Sequence, residues 1–245
     1  MTQLVPYCGS APSPGDLAVR FNLDPVLMVA LALLCTLQVL AVRRHRGSAI
    51  AGWLCVAAAL ISPLCALSVS LFSARVAQQM VLMLIAAPLI ASAWPKRITT
   101  PSSVALWPAT GLFFALLWFW HMPVPYESTF ASIPVYWAMH ATLIGSSLWL
   151  WRELLHHSRE QPLPAVGAGA LTIFQMGLLG AVLMLGFRPL FTPHLLTTRA
   201  WGLSPLQDQQ VGGAILWVPG IGWFLWAALR SFRRLFGSLS RVRPA

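Results

Sequence analysis

Of 245 residues, 58% are hydrophobic and only 9% are charged, and the mean hydropathy is +0.72. A soluble domain carries roughly 25% charged residues, so this composition excludes one and points to an all-α, polytopic membrane helix bundle. No aromatic-rich polar face accompanies the net charge of +10, so nucleic acid is not an expected partner and the excess reports orientation instead.

Residues 1–23 are polar and rich in Pro and Gly, with no basic stretch leading into an apolar core. They read as an outer N-terminal segment without a cleavable signal. Seven apolar runs follow, at about 24–42, 50–72, 77–94, 104–120, 134–151, 166–186 and 212–229. Each approaches the ~20 residues that a helix needs to cross the hydrocarbon core. The expected domain is therefore 24–229 with about seven transmembrane helices, followed by a basic cytoplasmic tail, 230–245. Pro63, Pro88 and Pro219 lie inside runs, where neighbouring helices can satisfy the freed carbonyls. No internal repeat is visible. Of the four cysteines, Cys35, Cys55 and Cys65 lie in apolar runs and read as small hydrophobes; with Cys8 they form no CxxC pair.

Counting Lys and Arg by connection sets the orientation. With the N-terminus outside, the inner segments hold Arg43, Arg44, Arg46, Lys96, Arg97, Arg152, Arg159, Arg230, Arg233, Arg234, Arg241 and Arg243. The outer side keeps Arg20, Arg75, Arg188 and Arg199. Twelve against four gives N-out, C-in.

That topology brings polar residues from distant segments to one outer face. Gln78 and Gln79 begin the third span, His121 and Met122 end the fourth, and His140 lies about two turns into the fifth beside Met139. The loop 187–211 adds His194 and the run Asp208-Gln209-Gln210 that opens the seventh. His45, His156 and His157 fall among inner charges and read as a solvated face. Each outer residue has a plain reading too. His121 before Met-Pro can cap a helix, Glu127 can face water, and Gln78 and Gln79 can be interhelical glue. Asp208 can cap the seventh helix. His140 is harder to treat so, because an ionisable residue inside a span faces the bundle interior or a cavity. Imidazole and thioether suit Cu(I), and Met80, Met83, Met122, Met139 and Met184 lie in the outer halves of their spans. No HxxxH, HxH or CxxC spacing identifies a metal. Nothing resembles a nucleophile elbow, a phosphate loop or paired carboxylates, so an enzyme is not expected.

Three blocks carry a resemblance: LFSARVAQQMVLMLIAAPLIASAWP (71–95), WFWHMPVPYESTF (118–130) and LSPLQDQQVGGAILWVPG (203–220). In this order they resemble the multi-span CtaG family of cytochrome c oxidase assembly factors, with D-Q-Q…W-V-P-G the most specific part. The resemblance implies a protein of the bacterial cytoplasmic (inner) membrane, in contact with lipid bilayer and heme-copper oxidase subunits. It would help copper delivery from a site on the periplasmic face. Copper would meet His121, Met122 and His140, with Gln78, Gln79, Tyr126, Asp208, Gln209 and Gln210 around them. One departure stands out: where many members carry H-M-x-Q-H, this chain has Arg75-Val76-Ala77-Gln78-Gln79. An arginine cannot bind copper and repels a nearby cation. Alternatives are a membrane transporter for copper or another small solute, or a structural partner of an oxidase subunit that binds no metal.

Overall fold

Proline placement sets most of the helix boundaries. The computed structural model describes residues 6–42, 45–94 and 105–242 as an assembly of helices, with no strand among the described residues. In chain order they are α1 (Pro25–Ala41), α2 (Arg46–Ile61), α3 (Pro63–Ser70), α4 (Phe72–Met80), α5 (Ala87–Ala93), α6 (Leu106–Trp120), α7 (Pro123–Ala131), α8 (Ile133–Glu160), α9 (Pro162–Met184) and α10 (Pro205–Val242). Pro25, Pro63, Pro123, Pro162 and Pro205 are each the first residue of a helix, where the missing N–H costs nothing and the fixed φ suits the turn. Side chains complete several of these starts. Asp24 accepts from Val26 N–H at 2.9 Å, and Ser62 accepts from Leu64 N–H at 3.3 Å. Ser204 and Gln207 cap α10 reciprocally, Gln207 N–H to Ser204 Oγ at 3.2 Å and Ser204 N–H to Gln207 Oε1 at 2.9 Å.

All seven apolar runs fall on helices, but not always on one. The run 50–72 is two helices: α2 ends at Ile61, Ser62 turns outward, and α3 leaves at 49° to α2. Pro63 cannot continue the ladder and biases Ser62 toward its extended conformation. Pro88 has a milder effect. The helix from α4 to α5 stays continuous through a π-helical turn, Val81–Ala86, just before it. The Met83 carbonyl in that turn accepts from Ser147 Oγ at 3.0 Å and Trp151 Nε1 at 2.8 Å, both on α8. Pro219 lies within α10, which runs on to Val242, so the expected basic tail continues a helix. Phe72–Ala93 and Pro162–Met184 are long and apolar enough to cross a membrane, and α2 with α3 makes a third span if taken as one. Helices α1 and α6 are apolar but shorter. The counted basic residues Arg43, Arg44, Lys96, Arg97 and Arg243 lie outside the described residues.

Small residues let the helices approach closely. A Cβ on Gly180 of α9 would meet the Gly213 carbonyl at 2.8 Å, and one on Gly213 would meet the Gly180 carbonyl at 2.7 Å. On α2, a Cβ at Gly52 would meet Ile90 Cγ1 at 2.6 Å. Amides add directional links: Gln38 of α1 donates to the Ile90 carbonyl at 3.0 Å and accepts from Trp53 Nε1 at 2.6 Å.

The N-terminal segment packs on this bundle through a Cys8–Cys65 disulfide, with Cα atoms 5.5 Å apart. Cys65 is thus not merely the small hydrophobe its apolar run suggested. Fifty-seven residues separate the two, so no local spacing announces the pair. Beside it the Tyr7 ring stacks on Tyr136 at 5.0 Å, and its hydroxyl donates to Asp24 Oδ2 at 2.5 Å.

Candidate functional site

Helix α4 is the spine of the site, and its first turn is capped by a residue from elsewhere in the chain. Asp208 on α10 accepts from Phe72 N–H at 2.6 Å, Ser73 N–H at 3.1 Å and the Ser73 hydroxyl. The sequence suggested that Asp208 caps its own helix; Ser204 does that, and Asp208 serves α4 in trans. Burial raises the Asp208 carboxyl above its usual range, while the three donors from Ser73 and Phe72 pull against it. Gln209 ties down the chain before α10, accepting from Leu190 N–H at 2.7 Å and donating to the Leu183 carbonyl at 3.2 Å. Gln210 is half-buried beside it.

One turn below the cap, Arg75 is 2% exposed. Its guanidinium carbon lies 4.3 Å from the centre of the Phe130 ring, 5.2 Å from Tyr126 and 5.5 Å from Tyr136. Such faces attract a cation, more strongly when water is excluded. Nη1 donates to Thr129 Oγ1 at 3.0 Å, whose own proton goes to the Tyr126 carbonyl. Among the described residues no carboxylate pairs with it within 4 Å. Counted above among the outer basic residues, Arg75 is instead interior, and a lone arginine entering an apolar run is the signal for that.

The aromatic and imidazole rings form a continuous layer over α4. Phe72 stacks on Phe191 at 4.2 Å, tilts against Tyr126 at 5.6 Å, and meets His121 and His194 edge-on at 6.4 Å and 6.3 Å. The Tyr126 hydroxyl and His194 Nε2 share a hydrogen bond of 2.6 Å. Burial, with the Arg75 charge adding to it, holds the His194 ring far below the usual histidine range, at about 3.

His121 closes α6 and Met122 precedes α7, so the Met-Pro pair both ends one helix and starts the next. The two side chains part there: His121 is 4% exposed and Met122 51%. His121 Nδ1 lies 2.7 Å from the Leu117 carbonyl, and His140 Nδ1 lies 3.0 Å from the Tyr136 carbonyl. A carbonyl only accepts, so each Nδ1 carries the proton and each Nε2 keeps a lone pair. Both Nε2 atoms are buried without a partner. Among the described residues no ring contact joins His121 to His140, and no group of three or more His, Cys, Asp or Glu is placed to hold a metal. Gln78 does act as interhelical glue through Nε2, 2.7 Å from the Ala59 carbonyl, and Gln79 Nε2 lies 3.5 Å from Met139 Sδ. Their Oε1 atoms are unpartnered, as is Arg75 Nε. Buried polar atoms are nearly always satisfied, so these atoms set the site apart from the apolar helix contacts around it.

The rings of Phe72, Tyr126, Phe191, His121 and His194 and the buried Arg75 guanidinium thus lie together on one helical site. Residues 38–238 match the family model for the cytochrome c oxidase caa3 assembly factor, Caa3_CtaG. The chain belongs to that family, which makes it a cytochrome c oxidase assembly factor. No curated protein and no solved structure matches it.

Proposed function

We propose that this assembly factor spans the cytoplasmic membrane seven times, N-out and C-in, and helps deliver copper to a heme-copper oxidase from its outer face without catalysing a reaction. Two observations support the orientation: the twelve-to-four distribution of Lys and Arg, and a disulfide, which persists in oxidising compartments. The observation that carries copper handling is the pair of buried imidazoles, His121 and His140. Each is held by a backbone carbonyl in the tautomer that leaves Nε2 free, the arrangement found behind metal-binding histidines. Met122 joins them from the exposed side as the ligand that first meets an incoming ion. Gln78, Gln79 and Tyr126 line the buried side, while Asp208, Gln209 and Gln210 set the outer ends of α4 and α10. The Arg75 charge opposes a bound cation. A carrier that must release its cargo is served by such a weak hold, in contrast to a closed structural site.

The test is a strain lacking this gene, complemented with the wild type or with H121A/H140A. The expected outcome for the double variant is an oxidase that keeps its heme but loses copper and activity. Oxidase with undiminished copper would overturn the copper role. It would favour instead a gripping role through outer-loop residues such as Phe187, 94% exposed, and Leu196, 89% exposed.

A further inference from the structure

The Cys8–Cys65 disulfide has polar company that a structural staple does not need. Disulfide sulfurs carry no proton, so the Tyr136 hydroxyl is the donor in its 3.4 Å contact with Cys8 Sγ and its 3.8 Å contact with Cys65 Sγ. Asn22 Nδ2 points at Cys65 Sγ from 3.8 Å. A disulfide accepts such bonds weakly, whereas a thiolate, carrying full charge, is stabilised by them. Cys65 is buried but Cys8 is only half-buried, so an incoming thiolate has a sulfur to attack. The Tyr136 ring also lies against His140, with centroids 4.3 Å apart. One tyrosine therefore connects the sulfur pair to an imidazole already argued to be ready for a metal.

We propose that Cys8 and Cys65 form a reducible site for a monovalent soft cation, closed as a disulfide and open as two thiols. The proposal rests on the copper-handling reading, because thiolate is the ligand that Cu(I) prefers. A dithiol is the reductant. Its thiolate attacks Cys8 Sγ, the S–S bond breaks, and Cys65 leaves as thiolate. The reductant's second thiol then resolves the mixed disulfide. Two electrons and two protons pass to the pair, the dithiol departs as a disulfide, and the bound ion displaces the protons. Metal–sulfur bonds are roughly 2.3 Å, so the sulfurs need part by at most ~4.6 Å to hold an ion between them. Side-chain rotation on Cα atoms 5.5 Å apart supplies that change. The outer face then admits copper to the sulfur pair only when a thiol system has opened it.

The experiment uses the full-length protein in detergent in a C35S/C55S background, so that Cys8 and Cys65 are the remaining cysteines. Oxidised and dithiol-reduced samples are titrated anaerobically with Cu(I) against a chromophoric chelator. The reduced protein is expected to take up one further Cu(I) ion per chain, with sulfur neighbours in its X-ray absorption spectrum, and alkylation after reduction should abolish that ion. Equal copper in both redox states, or an extra ion without sulfur ligands, overturns the proposal. C8S, which cannot close the disulfide, checks folding independently: an extra ion that persists in it with no sulfur neighbour also overturns the pair as its site. Failure here with intact loss of oxidase copper in H121A/H140A would remove the sulfur site and leave the histidine reading standing.

Discussion

Asp208 shows how much one side chain carries at this site. Its carboxylate holds the first two N–H groups of α4 and the Ser73 hydroxyl, and α4 in turn positions Arg75, Gln78 and Gln79. Removing an N-cap costs about 0.5–2 kcal/mol, and leaving buried N–H groups bare adds to that. Asp208→Ala is therefore expected to lower thermal stability in detergent by about 2 kcal/mol, and Asp208→Asn, which keeps one acceptor, by less. His194 makes a second prediction. Its folded value, about 3, lies below the ordinary 6.5, so the unfolded chain binds the proton more readily. Its contribution to stability is complete above pH ~6.5 and declines as pH falls toward ~3. Unfolding midpoints measured across that window should fall with pH more gently in His194→Gln than in the wild type.

Among the helices, the contrast between prolines is instructive. Pro63 breaks a run and Pro88 only widens it, because the Met83 carbonyl finds Ser147 and Trp151 on α8. The α9–α10 pair depends on the absence of side chains rather than on their chemistry. Gly180→Ala places a methyl group 2.8 Å from both the Gly213 carbonyl and Trp217 Cβ, so the two helices must separate. A loss of about 1–3 kcal/mol is expected, as for other overpacked contacts. Gly145→Ala on α8 is the matched control: nothing lies within 4 Å of its added Cβ, so the better helix former should be neutral or stabilising by up to ~1 kcal/mol. Unfolding of the two variants side by side checks the pair.

At the scale of the whole molecule, the disulfide ties the N-terminal segment to α3, and Asp208 ties α10 to the start of α4, which follows α3 directly. If that junction faces outward, a cytoplasmic reporter fused after residue 245 is active and a periplasmic one is not. Fusions truncated in the 187–204 loop reverse that pattern. The opposite result at either point would remove the N-out, C-in arrangement.

Apolar runs, prolines and the family blocks were legible in the chain itself. They depend on local composition and spacing, and bilayer thickness or helix geometry acts on them directly. By the same route the sequence marked His121, His140 and Asp208 as unusual, since a polar residue in an apolar setting is conspicuous without knowing its neighbours. The partners came only from tertiary structure. Asp208 meets Phe72 across 136 positions, Cys8 meets Cys65 across 57, and His194 meets Tyr126 across 68. Met122 and His121, adjacent in the chain, point to different environments because together they form the break between α6 and α7. Arg75 reads in sequence as a lost ligand. In the folded protein three rings enclose its charge, because α4 turns it toward α7 and α8 and away from water.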